Sequence, residues 1–486
     1  MPITIGIDLG TTTLTALAVD LDGGAVLARR TRPTAAETTA TADKARGFAE
    51  WDADQVTAVA VECLRDVVAG LQGREVVGIG ITGQQHGTLL IDRTGRAISP
   101  LVNWQDRRAL EPFPGTTHSY IQEAVRRVGD GAARRCGCRL STGYLATTLF
   151  WYSQRGELPA DATAIFLSDY LAARLTGERP ATDPTFAASA GVFDVADGQW
   201  DAEAIAALGL PIAAFPDVWP CGTRLGGVRL ADVGLHDGTP VFVAMGDNQA
   251  SVLGSLAEPD RSVLVNVGTG GQVSAVVRSF AAVPGLETRP FPGGYLLASV
   301  GLAGGRAYAA LEQFFRRVGQ EVFGRLDDES AYAAMNRLAA AAPPGCDGLT
   351  CEPAFGGTRA EPARRGAWTG LSFENFTPGH FARSLLEGSA SAYRSGFDLM
   401  RPHQETDRDV LIGSGNGIRE NPLLAELIAH EFGLRLRVPA HREEAAFGAA
   451  LVAGVGSEVI GSWSEVGRAI RYSAGNDRPG TEPTSQ

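Results

Sequence analysis

The segment Ile5-Gly-Ile-Asp-Leu-Gly-Thr-Thr-Thr-Leu-Thr-Ala-Leu17 sets a carboxylate, a glycine and three consecutive hydroxyls between two short apolar strands. A plain hairpin needs none of them, because Asn-Gly or Gly-Gly closes two strands at lower cost. Successive backbone N–H groups at such a bend, with the hydroxyls of Thr11, Thr12 and Thr13, suit the oxygens of a phosphate. Asp8 carries the wrong sign to bind phosphate itself. It suits Mg²⁺, held through water because that ion dehydrates reluctantly. For this loop alone, a structural turn with capping threonines is the competing reading.

The pattern returns about 260 residues later. Residues 262–277, SVLVNVGTGGQVSAVV, again read strand, polar residue, Gly-Thr, strand, with Asn266-Val-Gly-Thr-Gly270 standing where Asp8-Leu-Gly-Thr-Thr12 stood. Gly268, Thr269 and Gly270 then form a second phosphate loop. Two copies of one hairpin in register imply a duplicated α/β domain with a cleft between the halves. The division expected is 1–245 for the first domain and 246–472 for the second, with a polar tail at 473–486 expected to be disordered.

The chain has 486 residues, more than one core usually supports. Its net charge of −12 excludes a general nucleic-acid or acidic-membrane binder, which needs a basic footprint. Lys44 is the only lysine, and G-x-x-x-x-G-K-[ST] is absent, so the P-loop route to a nucleotide is closed. The six cysteines are scattered. Cys136-Gly-Cys138 has no second pair at metal-ligand spacing, and all six are expected as reduced thiols of a cytoplasmic protein. Neither a secretory leader pattern nor an apolar run long enough to span a membrane is read in the sequence.

Between the repeats, periodicity predicts a helix over 51–71, a buried strand at 76–82 and a hairpin-like pair (TLLID, AISPLV) turning at 93–96. Helices are expected at 119–135, 141–155 and 168–177, the last closed by a glycine cap. A Gly/Pro-rich passage at 211–240 leads to the strand PVFVAMG, which ends at Gly246. Later, VLIGSGNG (410–417) is a strand entering a Gly-rich turn. ENPLLAELIAHEFG is a helix ending at Gly433, and AAFGAALVAGVG is a small-residue helix packed close against another element.

IGIDLGTTT, VNVGTGG and IGSGNG, in that order, resemble the two phosphate motifs and the adenosine motif of the actin-like ATPase superfamily. GITGQQHG (80–87), LVNWQDRR (101–108), SDYLAARLTGE (168–178), GDNQAS (246–251), FGGTRAEPARRGAWTGLS (355–372) and NFTPGHFARSLLEGSA (375–390) are similar to the FGGY carbohydrate kinases, and the likeness runs from residue 3 to about 455. It implies MgATP-dependent phosphorylation of a sugar or polyol between two ribonuclease-H-like domains. By analogy it also implies a homodimer.

The family's general base matches Asp247 in Gly246-Asp247-Asn248-Gln249. Physical reasoning agrees: phosphoryl transfer needs alignment, charge neutralisation and an acceptor for the hydroxyl proton, and Asp247 follows directly on an apolar strand. The duty of helix N-cap is its other reading. The segment carrying Gln84 and His86 lies along the sugar in the family, although a lone histidine after a buried strand is often only structural. Trp104 offers an indole face to C–H groups and Asp106 a hydroxyl acceptor, unless either is core or paired with Arg107 or Arg108. Asn248 is a further hydroxyl partner. At Gly413-Ser-Gly-Asn416 the bare backbone of Gly413 and Gly415 lets a flat base approach, beside Asn416. Asn421 is a second adenosine contact or merely the cap of its helix.

The combination of GQQHG, NWQDRR, GDNQAS and NFTPGH resembles the bacterial sedoheptulokinase branch. That implies transfer to the terminal primary hydroxyl of a ketose, with xylulose or another pentulose or polyol as the alternative acceptor. A chaperone-like ATPase without a sugar site, or a non-catalytic sugar sensor, is the rival from another class.

Overall fold

The computed structural model describes residues 1–324, 331–357 and 364–473. Residues 358–363, within FGGTRAEPARRG, and all but the first residue of the tail expected at 473–486 lie outside the described residues.

In chain order the elements that position the site are β1 (Ile3–Leu9), β2 (Thr13–Asp20), β3 (Ala25–Pro33), α1 (Ala53–Gly70), β4 (Val76–Gly83), α2 (Tyr120–Cys136), β5 (Arg224–Gly227), β6 (Pro240–Phe242) and α3 (Asp247–Ser255). The second half follows with β7 (Ser262–Val267), β8 (Gly270–Val277), β9 (Glu287–Phe291), β10 (Gly294–Ala303), α4 (Gly305–Phe323), α5 (Pro378–Met400), β11 (Val410–Ser414), α6 (Pro422–Phe432), β12 (Arg435–Arg437) and α7 (Glu444–Gly456).

One sheet runs β5-β6-β4-β1-β2-β3, and the other runs β9-β10-β8-β7-β11-β12. In both, an antiparallel meander meets parallel strands. β1 lies antiparallel to β2 and parallel to β4, while β7 lies antiparallel to β8 and parallel to β11. The duplication read from the Gly-Thr loops is therefore a duplication of topology.

The expected strand PVFVAMG is broken. Pro240–Phe242 and Met245–Gly246 pair separately with β4, and the Gly/Pro-rich passage before them contributes the edge strand β5. Other expectations are met. The helix expected over 51–71 is α1, and Asp52 just before it accepts the Gln55 N–H at 3.0 Å as its cap. The helix Leu167–Thr176 ends at left-handed Gly177, and α6 ends at left-handed Gly433. Gly87–Ile91 pairs with Leu101–Asn103 in a small four-stranded lobe carried on the first half.

The three largest apolar clusters among the described residues build most of the core: one around the first sheet and its lobe, one in the second half, and a third between the two sheets. The third joins α3 and α7 to strand residues of both sheets, among them Leu17 and Val19 of β2 and Leu264 of β7. Ile3, Ile5, Ile7 and Leu9 of β1 belong to the α1 side, whereas Gly6 meets α7. A Cβ on Gly6 or Gly80 would lie 1.8 Å from a carbonyl oxygen of α7, and one on Gly448 would lie 1.9 Å from that of Ala250 in α3. The small-residue helix thus packs backbone to backbone against strands of the first half, although it lies at the far end of the chain. The sequence division at 245/246 becomes, in space, two helices shared between the sheets.

Candidate active site

Parallel strands bring their carboxyl ends to one edge, where ligands of α/β folds gather. Asp8 is in register with Thr82 of β4, and Gly246 with Gly83. Asp247, at the first turn of α3, therefore emerges next to Asp8. The charge of Asp247 acts on the Asp8 carboxyl. Burial first, then the charges of Asp247 and Glu443, lift the Asp8 carboxyl to about 7. Burial lifts Asp247 to about 6, against the pull of N–H groups from Asn248 and Gln85. Asp247 does not cap α3 by its side chain, which accepts the Asn248 N–H at 2.7 Å; Gly246 holds the N-cap position.

Asn248 connects this corner to the second hairpin. Its Oδ1 accepts from Gln272 Nε2 at 2.5 Å, and Gln272 stands on β8 two residues past the second Gly-Thr loop. The Asp247-Asn248 pair therefore touches both halves of the duplication.

A cleft of about 2470 Å³ opens beside Asp8, and neither Asp247 and Asn248 nor Gln84 and His86 are among its lining residues. Asp8, Thr11, Thr12 and Thr13 line one wall, and Thr269 and Gly270 the other. Gly268 closes the second loop, donating its N–H to the Gly270 carbonyl at 3.0 Å. Trp104 reaches over the first loop, 46% exposed, with its indole N–H donating to Thr11 Oγ1 at 2.8 Å.

Asp106 is placed otherwise than expected. It is buried, and its oxygens accept the backbone N–H of Ala49 at 2.8 Å, the backbone N–H of Arg108 at 2.8 Å and two guanidinium N–H groups of Arg108, each at 2.9 Å. With its acceptor capacity used, it holds the NWQDRR loop that presents Trp104 and has no lone pair turned to a sugar. His86 is braced, Nδ1 lying 3.0 Å from the Ser189 carbonyl and the ring stacked on Tyr144 at 4.0 Å. Gln84 is buried with both amide atoms lacking a hydrogen-bond partner among the described residues.

The adenosine motif is only partly as expected. Gly413 sits inside β11, where a Cβ would meet Ile418 and Leu436 at 2.9 Å. Gly415, with φ +82°, packs on the Val267 carbonyl and starts the short helix that exposes Asn416. Asn421 caps α6 through Leu424 N–H at 3.1 Å and donates to Asn336, so its amide is engaged.

Three further site residues carry no sequence signal of the same strength. Gln85 fills the space beside Gly246 and donates to the Thr185 carbonyl at 2.9 Å. Gln272 holds Asn248, and Glu443 lines the cleft within Coulombic reach of Asp8. Each acts across more than 20 residues of sequence, which local pattern cannot reveal.

A divalent cation fits this donor set through water. Crowded carboxylates with raised proton affinity need a counter-charge, yet no group of three or more histidine, cysteine and carboxylate side chains among the described residues converges to hold a metal directly. Among the same residues no helix is long and apolar enough to cross a membrane.

Comparison with known proteins agrees with this geometry. Residues 3–254 match the N-terminal domain, and residues 264–457 the C-terminal domain, of the FGGY family of carbohydrate kinases. The chain belongs to this family. It is a phosphotransferase with an alcohol acceptor, on the actin-like ATPase fold. It is 30% identical over 491 residues to the sedoheptulokinase of Homo sapiens, covering 93% of this chain and 97% of that one. To the glycerol kinase of Trichlorobacter lovleyi it is 29% identical, covering 96% and 91%. The crystal structure of xylulose kinase from Rhodospirillum rubrum superposes with a TM-score of 0.85 at 26% identity, covering 99% and 94%. The N-terminal match ends at residue 254, inside α3, and so includes Asp247.

Proposed function

We propose that this kinase transfers the γ-phosphoryl group of MgATP to the terminal primary hydroxyl of a ketose, sedoheptulose by preference, to give the 7-phosphate. The observation that carries the reading is the bridging position of Asp247-Asn248, beside Asp8 of one hairpin and tied to Gln272 of the other. Asp247 takes the hydroxyl proton as the oxygen attacks phosphorus. Its carboxyl, lifted to about 6, is ionised at neutral pH yet more basic than a free aspartate, which suits it to that task. Thr11, Thr12, Thr13, Gly268, Thr269 and Gly270 hold the phosphates, and Gly413, Gly415 and Asn416 border the adenosine. Trp104 and His86, with Gln84 and Asn248, receive the sugar. Asp8 holds Mg²⁺ through water; bound there, the ion neutralises the phosphate charge.

Preference for sedoheptulose is supported by the full-length similarity to the human sedoheptulokinase. A coupled assay across D-sedoheptulose, D-xylulose, D-ribulose and glycerol tests it. We expect kcat/KM to be at least about tenfold higher for sedoheptulose, the scale on which a few hydroxyl partners discriminate. A higher value for a pentulose or for glycerol would replace the substrate but leave the kinase.

A further inference from the structure

We infer that Arg306 is the cation of this kinase that grips the β- and γ-phosphates of the nucleotide, an assignment that rests on the phosphoryl-transfer reading above. Nucleoside triphosphate brings about four negative charges into a cleft that is already acidic. Neither phosphate loop contains a basic residue, and the only lysine, Lys44, is paired with Glu37 at 2.8 Å. Asp247 and Glu443 stand within reach of the charge on buried Asp8, so three carboxylates share the same corner. One divalent ion cannot balance that sum, so a protein cation is required near the loops.

The arginines lining the cleft divide by wall. Arg107, Arg134 and Arg139 belong to the first half, the first of them on the loop that carries Trp104. On the opposite wall stand Arg306 and Arg364, and Arg364 is paired with Glu352. Arg306 is exposed, lines the cleft and makes no ion pair among the described residues.

Its position is fixed by backbone. The N–H of Arg306 donates to the Thr269 carbonyl at 3.0 Å, and that of Gly305 to the Gly268 carbonyl at 2.8 Å. A Cβ on Gly304 would lie 2.3 Å from the backbone of Gly270, so the start of α4 is clasped against the second Gly-Thr loop. These bonds spend the first two N–H groups of the helix on the protein itself. The positive charge this wall offers a phosphate therefore comes from the guanidinium, which can donate two parallel hydrogen bonds to one phosphate.

The test compares Arg306→Gln and Arg306→Lys with the unaltered chain. For Arg306→Gln we expect kcat/KM for MgATP to fall about 10²-fold, the scale of a lost charged donor at a transferring phosphoryl group, while KM for the sugar moves less than twofold. Arg306→Lys should recover at least a third of the lost activity. In calorimetry MgATP and MgADP should bind Arg306→Gln more weakly, with adenosine unchanged. A loss under threefold, no recovery by lysine, or equal weakening of adenosine overturns the assignment. If the unaltered chain shows no sugar-dependent turnover, the kinase reading falls instead, and the MgATP-against-adenosine comparison still judges Arg306.

Discussion

The two Gly-Thr hairpins share a topology and differ in charge. The first begins with Asp8, in register with Thr82, and stands beside Asp247 and Glu443. The second has Asn266 at the matching position, in register with Ser414, and no carboxylate of its own. A duplicated scaffold has thus been divided between tasks. One wall carries the acids to which we assign metal and proton, while the other offers neutral donors and, next to them, an arginine. Geometry was copied, but the electrostatics were not.

The difference can be broken from the acidic side first. Asp247→Asn keeps the shape and removes the proton acceptor; kcat should fall by about 10²–10³-fold with KM for MgATP little changed, measured in the coupled assay. Near-normal turnover would make both walls mere phosphate holders. Asp8→Asn should lower kcat about 10²-fold and raise the Mg²⁺ concentration needed for half-maximal rate.

That second variant also has a stability signature. A carboxyl whose pKa is raised on folding binds its proton more tightly in the native state, so it costs stability as pH rises from about 3.8 toward about 7. Removing the charge should therefore raise Tm at pH 8 by roughly 1–3 °C in calorimetry without ligand, while leaving it unchanged near pH 4. An equal loss of Tm at both pH values would count against repulsion at this corner.

Activity should follow the ionisation of Asp247. Below about pH 6, kcat/KM should drop roughly tenfold per pH unit and level off above it. A profile flat down to pH 5 would mean that the base is already ionised there. The smallest effect sharpens the comparison of the loops themselves. Thr12→Val and Thr269→Val each remove one hydroxyl donor, and each should raise KM for MgATP by about three- to tenfold. A large effect in one loop alone would show that the neutral donors, too, have diverged.

Much of this was legible beforehand because it is local. The strands around both loops, the glycine caps at Gly177 and Gly433 and the cap at Asn421 follow from residues within one turn of each other. Asp8 and Asp247 stood out as acids at strand ends beside glycine. Gln272 and Glu443 did not, since their meaning comes from Asn248 and Asp8, far away in the chain. Asp106 shows the opposite failure. Its partner Arg108 is two residues off, yet whether the pair is buried together or splayed toward a ligand depends on Ala49 and Glu50, more than 50 residues earlier in the chain.

The contact of Gly448 with Ala250, and of Gly6 and Gly80 with α7, has a mechanical corollary. Where main chain touches main chain there is no rotamer to turn aside, so the lobes cannot slip past each other at that place and can only swing around it as on a pin. Asp247 begins the helix that forms half of that pin. Near an axle the displacement is least, so the acid to which we assign the hydroxyl proton holds its place.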